Sequence, residues 1–198
     1  MIEFININDS DPYKYFLKYF NQAIDAEQKN IEAISISSFN FESKEVQSRY
    51  VNLKYIKNED WIFFSNYNSP KSQDFDSHSQ ISALFYWNNI DVQIRMKAKI
   101  NKTSSDFSDL HFDQRDRKKN ALAISSYQSE KINSYDDVIN KYLEVLNSSE
   151  KLERPNSWGG FSFVPYYFEF WEGHESRLNK RKSYLFVNKK WEKNYLQP

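Results

Sequence analysis

The chain has 198 residues, 39% of them hydrophobic and 18% aromatic, with 27 basic and 27 acidic side chains. That length suits one compact domain with a sizeable core, and the balanced charge gives a general nucleic-acid-binding role no support. The absence of cysteine excludes disulfides, thiolate catalysis and Cys-ligated zinc, and with only three glycines there is no G-x-G-x-x-G or Walker sequence.

The start, MIEFININDSDPYKYF, lacks a basic segment followed by an apolar one, so no secretory signal is read there. No apolar run approaches the roughly 18 residues of a membrane span, and the expected compartment is the cytoplasm. Residues 12–29 are expected to form a helix: Phe16, Phe20, Ala23 and Ile24 recur at helical spacing, and Asp11 could cap it before Pro12. AISIS (33–37) alternates as a strand. In RYVNLKYI (49–56), Arg49, Val51, Leu53 and Tyr55 share one face and Tyr50, Asn52 and Lys54 the other. DWIFFS (60–65) follows a short polar turn, which predicts a hairpin.

The stretch FFSNYNSPKS (63–72) puts Ser65, Ser69, Lys71 and Ser72 together after a strand, with Pro70 among them. It reads as a hydrophilic hairpin turn or as an anion-binding turn. ISALFYW (81–87) is a further strand. VQIRMKAKI (92–100) is the cleanest, with Val92, Ile94, Met96, Ala98 and Ile100 facing a core and Gln93, Arg95, Lys97 and Lys99 facing away. A helical excursion follows over about 104–148. Its first helix starts near Ser104 or Ser105, its second spans 118–126, and its third (134–146) opens on a Ser134–Asp137 capping pair and carries Val138, Tyr142, Val145 and Leu146 as a stripe. Residues 147–157 read as a surface loop. The tail returns to strands in GFSFV, YYFEFWEG, SYLFV and KWEKNYL. A helix, about five strands, helices and more strands in one chain imply a single, mainly β domain with peripheral helices. Barrel-like closure would remove its open edges.

Arg49, Lys54, Lys71, Arg115, Arg177 and Arg181 fall near strand ends, where such groups can bond phosphate oxygens. Singly, each reads as a surface charge. His78, His111 and His174 have no metal-ligand spacing, and no serine lies in a G-x-S-x-G context. No metal site is expected.

WGGFSFVPYYFEFWEGHESRLNKR (158–181) resembles the C-terminal signature of the pyridoxamine 5'-phosphate oxidase family, which runs W-G-G-[F/Y]-R-V, I-E-F-W-Q-G, then R-L-H-D-R. The earlier segments SRYVNLKY, IFFSNYNSPKSQDF, ISALFYW and VQIRMKAKI are similar, in order, to the family's R-M-V-L-L-K, F-Y-T-N-x-x-S-R-K, A-A-L-L-F-x-W and R-Q-V-R-V-x-G. The likeness spans about residues 30–198.

The resemblance implies an FMN-binding split β-barrel, a homodimer with FMN at the subunit interface. It also implies an oxidase forming pyridoxal 5'-phosphate with O2 as electron acceptor. It assigns Arg49, Ser69 and Lys71 to the flavin phosphate, with Tyr50, Val51, Asn52, Phe64 and Ser65 in the same cofactor set. Gln93 would lie beside the flavin ring, Gln128 and Ser129 would support it, and Trp171 and Arg181 would frame it. Lys54, His111, Arg115 and Lys119 fall at positions that hold the substrate's phosphate; Arg177 and Asn179 fall at the reacting end of the substrate. Five positions depart from the family pattern. Pro70 and Val92 stand where arginine is usual, His111 where tyrosine is, Lys119 where serine is, and Asn179 where histidine is. Three readings therefore stay open: the family oxidase with an unusual pocket, an FMN-dependent oxidase of the same fold acting on a different small ring substrate, and a non-catalytic flavin-binding dimer.

Overall fold

A computed structural model describes all 198 residues as nine strands and five α-helices. The elements are β1 (Glu3–Ile5), α1 (Asp11–Asp25), β2 (Ala33–Phe39), β3 (Val46–Lys57), β4 (Asp60–Asn66), α2 (Pro70–Ser77), β5 (Gln80–Trp87) and β6 (Val92–Lys102). After them come α3 (Ser105–Gln114), α4 (Arg117–Ser125), α5 (Tyr135–Asn147), β7 (Trp158–Glu172), β8 (Lys180–Val187) and β9 (Lys190–Leu196). Six strands close on themselves through antiparallel pairs, in the order β3–β2–β5–β6–β7–β4 and back to β3. The anticipated barrel is therefore present. β1, which the sequence reading did not anticipate, joins β3 in parallel; β8 and β9 extend the sheet from β7.

Burial follows pattern where the pattern was strict. Along β6, Val92, Ile94, Met96, Ala98 and Ile100 are buried, while Arg95, Lys97 and Lys99 are exposed. Inside the barrel Trp61, Phe63, Phe85, Phe161, Phe163 and Phe168 are fully enclosed. Helix α1 plugs that core with Tyr13, Phe16, Tyr19 and Phe20, and Phe16 meets Trp61 edge-on at 4.5 Å. Enclosing each such ring stabilises the fold by about 2–3 kcal/mol relative to leaving it in water. A large share of the aromatic content is therefore core.

Several boundaries move, each for a local reason. Helix α1 stops at Asp25, not 29, and Ser10 rather than Asp11 occupies the N-cap position. Its end is a Schellman turn built without glycine: Gln28 N donates to Ala23 O, Glu27 N donates to Ile24 O, and Glu27 takes φ 54. The segments GFSFV and YYFEFWEG are one strand, β7. Pro165 has no N–H for the ladder and sits at a shift in the β6–β7 register, between the pairs Lys97↔Tyr167 and Ala98↔Pro165. Pro70 is not inside a hairpin turn. It opens α2, where a missing N–H leaves no helical bond unmade. On α5 the stripe Val138, Tyr142, Val145 and Leu146 is half-buried, and that helix packs on α4.

Candidate functional site

The cleft begins where two strands part. β3 and β4 pair from Lys57↔Asp60 only as far as Leu53↔Phe63. Beyond that point β4 continues to Asn66 against β7, while residues 46–52 of β3 pair with β2. The strands splay, and an open cleft of about 870 Å³ lies between Arg49–Asn52 on one side and Phe64–Asn66 on the other. A register shift between Leu53 and Tyr55 marks the fork. It puts Leu53 and Ile56, three apart, both inside the barrel, and breaks the shared face expected for Leu53 and Tyr55.

Helices α3 and α4 form the far wall, and the bare backbone at Gly160 leaves room for Thr103, which leads into α3, and for Phe64. A Cβ there would meet Thr103 Oγ1 at 2.5 Å and Phe64 Cε1 at 3.0 Å. Ser108 of α3 also accepts the Gly160 N–H at 3.1 Å. This contact brings His111 and Arg115, one turn apart, over the mouth of the barrel.

One end of the cleft is built from Arg49, Ser65 and Lys71. Lys71 is buried, and its ammonium donates to Ser65 Oγ and Ser69 Oγ, both at 2.9 Å. No carboxylate pairs with it. Burial, and then the nearby Arg49, push its pKa down to about 8. Arg49 donates to Ser38 Oγ at 2.6 Å and lies 3.7 Å from Asp74. Asp74 is itself buried and accepts from Ser38 and Asn40. Ser65 Oγ donates to Gln128 Oε1 at 3.2 Å, tying the loop after α4 to this end.

The other end holds Lys54, His111, Arg115 and Lys119. Arg115 lies over the Trp158 ring at 4.3 Å and donates to Lys119 O at 3.3 Å; its Nη1 is buried without a partner. His111 stacks on Phe64 at 3.7 Å and 11°. Burial first, then Arg115 and Lys54, bring its pKa down to about 4, so it is neutral at pH 7.

The cleft thus gathers Arg49, Tyr50, Val51, Asn52, Lys54, Phe64, Ser65, Lys71, His111, Arg115, Lys119 and Gln128 of the expected set. Ser69 stands behind the wall as a partner of Lys71, and Ser129 takes φ 71 in the loop beside Gln128. Five expected residues lie elsewhere. Gln93, Trp171 and Arg181 form one cross-strand row over β6, β7 and β8. Trp171 and the cleft residue Trp158 occupy opposite ends of β7, some tens of ångströms apart at ~3.3 Å per residue. Arg181 is held there by Glu169 at 2.8 Å, and Arg95 lies 3.4 Å from the same buried carboxylate. Arg177 (φ 64) and Asn179 belong to the exposed loop before β8, where Asn179 Oδ1 accepts the His174 N–H at 3.1 Å. Sequence reasoning missed Trp158 as a cleft wall and Asp74 as the anchor of Arg49. Trp158 had a signal, since it precedes the glycine pair; Asp74 had none. Among the departures, Val92 points into the core, on the face opposite Gln93, and Pro70 is exposed.

The donor set fits an elongated ligand with anionic groups. A buried ammonium without a counter-ion and an unpartnered guanidinium nitrogen are donors of the kind that phosphate oxygens would satisfy.

The closed six-stranded antiparallel barrel with flanking helices gives the chain a split-barrel fold. PhzG from Burkholderia lata 383, solved in complex with tetrahydrophenazine-1-carboxylic acid, superposes with a TM-score of 0.90 at 22% identity, covering 96% of this chain and 93% of that one. A pyridoxamine 5'-phosphate oxidase-related, FMN-binding protein from Nostoc punctiforme gives 0.78 at 11% identity, covering 96% and 100%. Residues 158–198 match the family model described as the pyridoxine 5'-phosphate oxidase C-terminal dimerisation region. The pyridoxine/pyridoxamine 5'-phosphate oxidase 1 of Hydrogenovibrio crunogenus is 31% identical over 193 residues, covering 96% of this chain and 89% of the relative. The Rippkaea orientalis enzyme of that type is 33% identical over 191 residues, covering 95% and 90%. The chain belongs to the pyridoxine/pyridoxamine 5'-phosphate oxidase family.

Proposed function

We infer that the chain is an FMN-dependent oxidase that oxidises the CH–NH2 or CH–OH group of a phosphorylated pyridine to pyridoxal 5'-phosphate, with O2 as electron acceptor. The observation that carries this reading is the two-ended cleft. One chain sets two cationic clusters about a single cavity, Arg49 with Lys71 at one end and Lys54, Arg115 and Lys119, beside the neutral His111, at the other. A cofactor phosphate and a substrate phosphate would each find a cluster of donors.

FMN, when bound, supplies two-electron oxidation and reoxidation by O2. Everything else falls to the protein. Arg49, Lys71 and Ser65 would hold the cofactor's phosphate, Ser69 and Asp74 keeping the first two in place. Lys54, Arg115 and Lys119 would anchor the substrate's phosphate, so that its ring reaches the same face on every encounter. The row Gln93–Trp171–Arg181 and the loop carrying Arg177 and Asn179 are too far along β7 to serve the cleft of their own chain. In a homodimer a second copy would bring its row to the first copy's cleft. The matched dimerisation region, residues 158–198, contains Trp171, Arg177, Asn179 and Arg181 and supports that assembly.

The test has two stages. Purified protein should carry, or take up, FMN with its visible absorbance. With pyridoxamine 5'-phosphate it should then release hydrogen peroxide and pyridoxal 5'-phosphate steadily. Tightly bound FMN without turnover of the pyridoxamine or pyridoxine phosphate would refute this reading. It would favour the second one, an oxidase of a different small ring substrate. A specific observation supports that alternative: the Asn179 carbonyl oxygen is already committed to the His174 N–H, unlike a titratable side chain free to meet the substrate.

A further inference from the structure

His111 makes one hydrogen bond within the chain, between Nδ1 and the Tyr55 hydroxyl at 2.7 Å. Both rings are fixed. The imidazole lies flat on Phe64 and parallel to Trp158 at 6.2 Å and 10°. The phenol meets it edge-on at 5.3 Å and is backed by Phe107 at 5.4 Å. Tyr55 reaches this place because the register shift beside Lys54 turns it out of the barrel toward α3. Nε2 has no protein partner and is not among the buried unpartnered atoms, so it is open to the cleft that His111 lines.

A neutral imidazole carries one N–H and one lone pair, so the Tyr55 contact decides which nitrogen faces the cleft as a donor. The Tyr55 hydroxyl has no other acceptor within the chain. If it accepted from Nδ1–H, its own proton would be left over, and Nε2 would turn a bare lone pair toward any anion. We propose that Tyr55 is the positioning residue for His111: its hydroxyl donates to Nδ1, which keeps the imidazole proton on Nε2 and aims that N–H at an anionic oxygen in the cleft. The pair is a phenol–imidazole relay from β3 to the cleft. The charged groups around it are Lys54 on β3 and Arg115 just after α3, which disfavour the imidazolium, and Glu3 on β1, which acts on Tyr55. His111 therefore stays a neutral donor near pH 7, beside cations that carry the charge. That the anion is a substrate phosphate rests on the functional reading above; the tautomer does not.

The test is nitrogen NMR of the histidine rings in the full-length protein. With three histidines in the chain, His111→Gln identifies the signal. At neutral pH the ring should show the Nε2–H tautomer, and the Nδ1–H tautomer would overturn the proposal. Tyr55→Phe removes a bond to the neutral ring, so the His111 titration midpoint should rise by roughly half a unit to one unit. A fall, or no change, means that Tyr55 does not donate. Inorganic phosphate is the probe for the cleft. His111→Gln keeps an N–H near the Nε2 position and His111→Asn does not, so phosphate should bind the Asn variant about tenfold more weakly than the Gln variant. Equal affinities would refute donation to an anion. None of these readouts needs FMN or turnover, so a failure of the oxidase reading leaves them interpretable.

Discussion

Binding of FMN through its phosphate is expected to draw a proton from solvent at about pH 8.5 and almost none at pH 7. The source is Lys71. In the free protein its pKa is down at about 8, because burial strips water from the ammonium and Arg49 repels it. About a quarter of Lys71 is then charged at pH 8.5, and about nine-tenths at pH 7. A phosphate placed against it supplies the missing counter-charge and returns its pKa toward the ordinary lysine value of 10.5. The uptake is about three-quarters of a proton at pH 8.5 and about a tenth at pH 7. The phosphate, with a second pKa of about 6, is fully ionised at pH 8.5; at pH 7 about a tenth of it is still protonated, and release of that proton on binding offsets the Lys71 uptake there. His111, titrating at about 4, is neutral throughout. The assay is calorimetric titration with FMN in two buffers of different ionisation enthalpy at each pH, repeated on Lys71→Met. Uptake at pH 8.5 no larger than at pH 7, with FMN still bound, would refute the role given to Lys71. So would an uptake that survives in Lys71→Met.

The same depressed pKa makes stability depend on pH in the ligand-free chain. Between about 8 and 10.5 the unfolded state holds a proton on Lys71 that the folded state has released, so this group's contribution to stability rises with pH across that window. Urea unfolding at several pH values should show the rise in the native sequence and its loss in Lys71→Met. Gly160→Ala must displace Thr103 or Phe64, and an overpacking cost of about 1–3 kcal/mol is expected in urea unfolding, with weaker phosphate binding as α3 is pushed off β7. Glu169→Gln removes the buried charge shared by Arg181 and Arg95 and leaves one accepting oxygen where two served Arg181 and the Tyr167 hydroxyl; a loss of about 2 kcal/mol is expected by the same measurement.

How far the residues announce this structure depends on which interactions decide each feature. β6 was legible because a two-residue period on one strand is a local property, and burial follows it without exception over Val92–Ile100. Ser134 was legible as a cap, and its side chain does accept the Asp136 N–H. The end of α1 was not, since its Schellman turn uses Glu27, a residue with no conformational signature. The fork at Leu53 was hidden too. A bulge is settled by what pairs across it, and β4 leaves β3 in order to follow β7. The same holds for the site. Motif likeness brought Arg49, Lys54, Lys71, His111 and Arg115 to one cleft. It could not tell that Gln93, Trp171 and Arg181 would form a separate row, because that separation is set by the uninterrupted length of β7. Nor could it find Tyr55, whose direction depends on the bulge.

Closure of six strands into a ring also governs how the molecule behaves in a crowd. A closed ring leaves little free ladder for another chain to copy; the open edges include the three-residue β1, the parted ends of β3 and β4, and β9. β9 carries Lys190, Glu192 and Lys193, all exposed, which oppose stacking of one copy's edge on another's. A chain cut before Lys190 would bare β8 instead, with Leu185 and Phe186 already in contact with solvent. The final strand is then a gatekeeper against fibrillar growth, and its removal should be felt first as lost solubility.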